Sequence, residues 1–256
     1  MEQEFNTSRF NNLHSAFLVT SKVASFGGVS LDTAVSDAHI IDVEIGAAKI
    51  ELSTRAKTPR NGVHFIKRRS GTRQIKITVE LPMEKSTYAL NAQSLIRWAT
   101  SDEPKELTLS ALPLLAITAV LESATSLKQK EWWQPITLTF LATDPYFYSR
   151  SNSQEDVGTS FDVEGDAPVE ITITHEIATT LTKPKWTIDN GIHIQLTGTY
   201  ASGTIVIDTE KFLVTRNDTP IQADIAITSR FGQLEPGEHI VTGPNGGEIT
   251  WTERWL

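Results

Sequence analysis

The chain has 256 residues, 39% of them hydrophobic and 21% charged, which suits one large or two medium globular domains. It holds no cysteine, and this excludes disulfides, thiolate catalysis, iron–sulfur clusters and cysteine-ligated zinc. The formal net charge of −8 argues against a general nucleic-acid binder, and it is unevenly spread: residues 1–150 carry 17 Lys/Arg against 15 Asp/Glu, residues 151–256 carry 6 against 16.

The start, Met1-Glu2-Gln3-Glu4, is acidic and lacks the basic and apolar regions of a signal peptide. Strands are predicted at 16–20, 39–45 and 48–54. Then comes "KTPRNGVHFIKRRSGTR" (57–73), with Lys57, Arg60, Lys67, Arg68, Arg69 and Arg73, His64 when protonated, and no acid. Its turn signals, Pro59-Arg60-Asn61-Gly62 and Ser70-Gly71, predict a hairpin. One reading is an exposed hairpin with a solvated basic face. The other, preferred here, is an arm that docks on an acidic neighbouring surface. Nucleic acid is disfavoured because the run lacks interleaved aromatics for base stacking.

"RQIKITVEL" follows, with Ile75, Ile77, Val79 and Leu81 alternating against polar residues, and predicts a strand over 73–81. A helix is predicted over 90–100. Ala92, Leu95, Ile96 and Ala99 form its apolar stripe, Trp98 lies at the edge, and Asp102-Glu103-Pro104 ends it. The apolar stretch Ala111–Leu121 contains Pro113 and Thr118 and is far shorter than the ~20 residues of a membrane span. A soluble protein made in the cytosol is expected, with no membrane association. A strand over 135–142 closes the first half and stops at Asp144-Pro145, because proline lacks the ladder donor. Tyr146, Phe147 and Tyr148 follow directly and are expected at an interdomain seam.

The polar stretch 149–160 reads as a linker, dividing a domain of residues 1–148 from one of residues 161–256. In the second domain, strands are predicted in "VEITITHEI" (169–177), "PKWTIDN", "IHIQLTG", "TIVIDTE", "FLVTRN", "IQADIAI" (221–227), "EHIVTG" (238–243) and "EITWTERWL" (248–256). Turn signals such as Asp189-Asn190-Gly191 and Asn245-Gly246-Gly247 separate them. Short strands at this spacing mean a β-sandwich or jelly roll. The first domain reads as mainly β with one covering helix.

No catalytic motif is present, the six histidines are scattered, and the many carboxylates offer only chance pairs. No catalytic, metal or cofactor site is expected, and no enzyme activity. Trp186, Tyr200, Trp251 and Trp255 could form a sugar platform, but the alternating positions of Trp186 and Trp251 favour a core role.

Several segments in order resemble the distal tail protein (Dit) family of long-tailed, non-contractile bacteriophages. They are "FGGVSLDT" (26–33), "KTPRNGVHF" with "TRQIKITVEL", "LIRWATSDEPKELTL", "ITLTFLATDPYFY", "GDAPVEITIT" and "GQLEPGEHIVTGPNGGEITWTERWL". The resemblance implies an N-terminal β-sandwich-like domain with one helix and a hairpin arm, which closes into a hexameric ring, plus an outward C-terminal galectin-like β-sandwich. It further implies a place at the virion tail tip, after synthesis and assembly in the host bacterial cytoplasm. The implied partners are five further copies, the tail-tube protein, a tail-associated (Tal-like) hub protein and receptor-binding proteins. Phage DNA would pass through the channel without specific binding. The arm's basic residues would then be interface residues. The other readings are a carbohydrate-binding host-adhesion module and, third, a wall-degrading hydrolase.

Overall fold

The computed structural model describes residues 23–56, 63–82, 87–125, 135–189 and 191–256. The chain divides into two compact units, Met1–Phe147 and Tyr148–Leu256.

The first unit contains strands β1 (Ala24–Phe26), β2 (Val29–Ser30), β3 (His39–Ile45), β4 (Ile50–Ala56), β5 (Val63–Ser70), β6 (Arg73–Glu80), β7 (Lys105–Leu109), β8 (Leu115–Ala124) and β9 (Ile136–Ala142), with helices α1 (Leu31–Ala34) and α2 (Tyr88–Ala99). The predicted strands 39–45, 73–81 and 135–142 are present within a residue or so, and the helix begins two residues early. The strand predicted at 16–20 lies outside the described residues.

The main sheet runs β2-β1-β7-β8-β9-β6-β3, antiparallel throughout. The apolar alternation of β6 does what its period requires. Ile75, Ile77 and Val79 are fully buried, and each lies opposite an apolar residue of β9: Phe140, Leu138 and Ile136. Strand β8 was not expected, because its pattern changes midway. Its first half pairs with β7 through Ala116–Ala119, its second with β9 through Val120–Ala124, and a bulge falls between Leu121 and Ser123. Helix α2 covers the sheet with Tyr88, Ala92, Leu95, Trp98 and Ala99. Trp98 is not at the edge of the stripe: it is buried, stands edge-on to Phe26 and Phe140, and donates from Nε1 to the Val29 carbonyl at 2.9 Å.

The second unit begins within β10 (Phe147–Ser149). It continues through β11 (Ser153–Asp156), β12 (Ser160–Val163), β13 (Ile171–Ile177), β14 (Leu181–Thr182), β15 (Lys185–Ile188), β16 (Ile192–Gln195), β17 (Thr199–Tyr200), β18 (Gly203–Asp208), β19 (Leu213–Arg216), β20 (Thr219–Pro220), β21 (Gly237–Thr242), β22 (Gly247–Trp251) and β23 (Arg254–Trp255). One sheet runs β11-β22-β13-β18-β19-β20, the other β12-β21-β15-β16. Their inner faces share one core, in which Ile171, Ile173, Ile205, Ile207 and Ile249 of the first meet Val163, Trp186, Ile188, Ile192 and Ile194 of the second. This is a two-sheet β-sandwich, and the chain as a whole is mainly β, as its sequence pattern requires.

Two expectations are corrected. Residues 149–160 are not a linker. Ser153–Asp156 pair along their length with β22, and Val157 joins the core. The stretch is polar because β11 is an edge strand with Gln154, Glu155 and Asp156 exposed, so no apolar period marks it. "IQADIAI" is not a strand either. Gln222–Asp224 form a single helical turn, held by Asp224, whose carbonyl accepts from the Thr197 amide at 2.8 Å and whose carboxylate accepts from the Tyr200 hydroxyl at 2.8 Å.

Candidate assembly surfaces

Among the described residues, strands β4 and β5 pair only with each other and extend the β3–β6 ribbon beyond the sheet. Backbone bonds stitch the base: Gly46 N to Gln74 O at 2.9 Å, Lys49 N to Thr72 O at 2.8 Å and Gly71 N to Lys49 O at 2.6 Å. Gly46 is needed at this junction, since a Cβ there would lie 2.9 Å from the Gln74 carbonyl oxygen. Beyond the base, residues 51–55 and 65–69 are all exposed. The predicted hairpin arm is therefore present, but it starts seven residues earlier than expected.

Its register sorts the side chains into two faces. Opposite residues of an antiparallel pair share a face, and the face alternates along each strand. Leu52 lies opposite Arg68 and Thr54 opposite Phe65, while Glu51 lies opposite Arg69 and Ser53 opposite Lys67. A bulge between Ser53 and Thr54 leaves Ile66 as the extra residue on β5 and reverses the parity there. As a result Phe65 joins Ile50 and Leu52 on one face, with Arg68. Lys67 and Arg69 fall on the other, with Glu51 and Arg55. Ile50, Leu52 and Phe65 are 54%, 61% and 63% exposed.

Of the basic residues expected on the arm, Lys67, Arg68 and Arg69 are exposed on it, and Lys57 and Arg60 lie outside the described residues. Arg73 is not an arm residue. It opens β6, is 6% exposed, and its guanidinium sits 5.0 Å from the centre of the Phe147 ring. Its chain position past Ser70-Gly71 returns it to the sheet. The sequence reading missed the apolar face. Ile50 and Leu52 were visible as alternating residues, but the bulge that aligns Phe65 with them was not.

The three aromatics after β9 separate as well. The Asp144 carboxylate accepts from the Tyr146 amide at 3.2 Å, turning the chain as β9 ends. Phe147 is buried against Arg73 inside the first unit. Tyr148 belongs to the second unit, where Arg254 lies 5.2 Å over its ring. Arg254 also donates to Glu170 at 2.7 Å and to the Pro168 carbonyl at 3.2 Å, so this arginine fastens the final strand to the start of β13. Each of these two rings is anchored by an arginine of its own unit.

Residues 164–255 match the family model described as the siphovirus-type tail component, C-terminal domain. The fold is that of the Dit (gp 19.1) protein of phage SPP1, described as a paradigm of the hub adsorption apparatus in phages infecting Gram-positive bacteria. That crystal structure aligns over 93% of this chain and 100% of its own at a TM-score of 0.78 and 18% identity. The sequence match covers the C-terminal sandwich alone, and the structural match is one of fold. Two structures of the phage P2 baseplate in its activated conformation, with Ca and with Sr, align more distantly, at TM-scores of 0.49 and 0.46 and identities of 10% and 11%. Each covers 91% of this chain and 98% of the matched one. No curated protein sequence matches the chain.

The C-terminal sandwich is thus the part that carries the family pattern. Within that sandwich Trp186, Tyr200 and Trp251 are all buried in the core. They are not available as a sugar platform, in line with the core reading of their alternating positions.

Proposed function

We propose that this chain is a distal tail protein that closes into a hexameric ring, joins the tail tube to the baseplate hub and supports receptor-binding proteins. The observation that carries this reading is the arm. A two-stranded ribbon has marginal stability alone, and a folded chain gains nothing by presenting Ile50, Leu52 and Phe65 to water. Laid against a neighbouring copy, the same face would be covered, with Arg68 at its margin and the other basic residues free to meet acidic side chains. Head-to-tail contacts of this kind close into rings when the rotation between copies divides a full turn. The proposed setting is the virion tail tip, after assembly in the host cytoplasm, with the second unit as an outward, galectin-like and strongly acidic domain. The tail-component pattern of residues 164–255 supports a structural role and not an enzymatic one.

Native mass measurement with negative-stain imaging of the purified protein tests this. Six copies of 28.3 kDa, about 170 kDa in a ring with a central channel, are expected. A monomer at high concentration that binds glycans tightly would overturn it in favour of the carbohydrate-binding adhesion module.

A further inference from the structure

Among the described residues, His239 on β21 is held at both ring nitrogens. Nδ1 lies 2.5 Å from the Asp189 carboxylate and Nε2 lies 2.6 Å from the Glu235 carbonyl oxygen. Both partners are acceptors. A neutral imidazole has one N–H and one lone pair, so either tautomer would turn a lone pair onto an oxygen at this distance. Only the imidazolium donates to both. The ring has little water to fall back on, since its side chain is 11% exposed.

The rest of the surroundings fit a cation. Phe161, opposite His239 across β12 and β21, places its ring centre 5.8 Å from the imidazole. The charged groups facing the ring are Asp189, from the turn after β15, and Asp162, from β12. Glu235 contributes its backbone carbonyl. Asp189 has a second task, because its other carboxylate oxygen accepts from the Ile240 amide at 3.0 Å while its own amide donates to the Ile240 carbonyl at 3.2 Å. It does this from a left-handed backbone, at φ 45°, which aspartate adopts in turns more readily than most non-glycine residues. One carboxylate thus ties the turn after β15 to β21 through both backbone and histidine.

We propose that His239 is a protonated clasp: its positive charge fastens the turn after β15 and the approach to β21 together, and loss of that proton frees this corner of the four-stranded sheet while the six-stranded sheet stays closed. Burial alone would push the imidazole down. The hydrogen bond to Asp189, the Glu235 carbonyl and the carboxylates of Asp189 and Asp162 outweigh it and hold the group above its ordinary value. Asp189 is held below the usual carboxylate range by the same bond and by the Ile240 amide, against its own desolvation. The sign follows. A histidine raised in the folded state stabilises fully below its ordinary value, and that contribution is lost as pH rises through the raised one.

Hydrogen exchange by mass spectrometry on the full-length protein, from pH 6 to pH 9, tests this directly. Dividing each rate by that of a peptide from β13 removes the chemical pH dependence of exchange. The peptides covering 185–191 and 235–242 are expected to lose protection several-fold relative to β13, in a sigmoidal transition. In His239→Gln the transition is expected to vanish, with low protection at every pH, and in Asp189→Asn it is expected to move to lower pH. A constant ratio across the range in the wild-type protein overturns the clasp, as does an unchanged transition in His239→Gln. The wild-type titration stands by itself if either variant fails to fold.

Discussion

The β4–β5 and β15–β16 hairpins are built alike and end differently. Each carries an apolar stripe at period two. In β15–β16 the pairs Trp186 with Ile194 and Ile188 with Ile192 all point into the sandwich and are almost completely buried. In β4–β5 the stripe of Ile50, Leu52 and Phe65 is open to solvent. Period alone therefore says that a strand has an apolar face, and the rest of the fold decides what covers it. The second unit supplies a second sheet as the cover. Among its described residues the first supplies none for its arm, although covering each such side chain is worth about 1.5–3 kcal/mol. That unspent free energy is what a neighbouring chain can use.

The sharpest way to break the comparison is at its buried end. Trp186→Ala is expected to cost the second unit about 3–5 kcal/mol, because it removes a fully buried indole between two sheets and the core cannot close over the space. Urea denaturation followed by circular dichroism checks it. A loss under 1 kcal/mol would mean that the two sheets are not held by that contact. Phe147→Ala should cost the first unit about 3 kcal/mol on the same grounds, since Phe147 is buried and carries Arg73 on its ring. If each unit instead kept its own melting temperature and only the coupling between their transitions changed, the aromatic would be acting at a seam.

A smaller effect comes from pH, and here two histidines oppose each other. His175 is 2% exposed, stands edge-on to Trp186, and its Nδ1 finds no hydrogen-bond partner among the described residues. Burial lowers its pKa, so its contribution is present above the ordinary histidine value and is lost as pH falls through the lowered one. His239 runs the other way. The melting temperature of the second unit should therefore peak near the ordinary histidine pKa, about 6.5, and fall on both sides. His175→Phe should remove the acid limb and leave the alkaline limb. A profile that changes on only one side in the wild-type protein would show that one of the two does not titrate as its surroundings require.

Much of this fold was legible because one face of each strand is buried inside the unit that contains it. Ile75, Ile77 and Val79 announce β6, and Ile171, Ile173 and Ile177 announce β13. The failures have one physical origin, which is that sequence period does not record what a backbone pairs with. Ser153–Asp156 is polar and yet forms an edge strand. "IQADIAI" alternates and yet is bent by the hydrogen bonds of Asp224. Strand β8 was hidden by the bulge that lets it serve two neighbours. The candidate interface was legible as charge and only partly as apolar surface. Arg73 was grouped with the arm by nearness in the chain, whereas the return of the strand after Gly71 buries it. The bulge that puts Phe65 beside Leu52 depends on register, which turn signals at 59–62 do not fix.

The smallest expected effect on folding is the most informative about assembly. Leu52→Ser with Phe65→Ser changes two side chains that are more than half exposed. Substitutions at such positions usually stay within about 0.5 kcal/mol, so the denaturation midpoint of the first unit should hardly move. The oligomer should be lost, because the face that a neighbouring copy would cover has become polar. Lys67→Ser with Arg69→Ser, on the opposite face, should leave the assembly formed but make it less sensitive to salt, since exposed ion pairs contribute little and are screened. Native mass measurements on both variants at low and moderate salt separate the two faces. If the basic pair abolishes assembly and the apolar pair does not, the arm works through its charge, and the solvent-exposed stripe of Ile50, Leu52 and Phe65 must have another partner. If the apolar pair lowers the stability of the monomer by more than 1 kcal/mol, its cover lies within the chain itself, and the contrast with β15–β16 disappears.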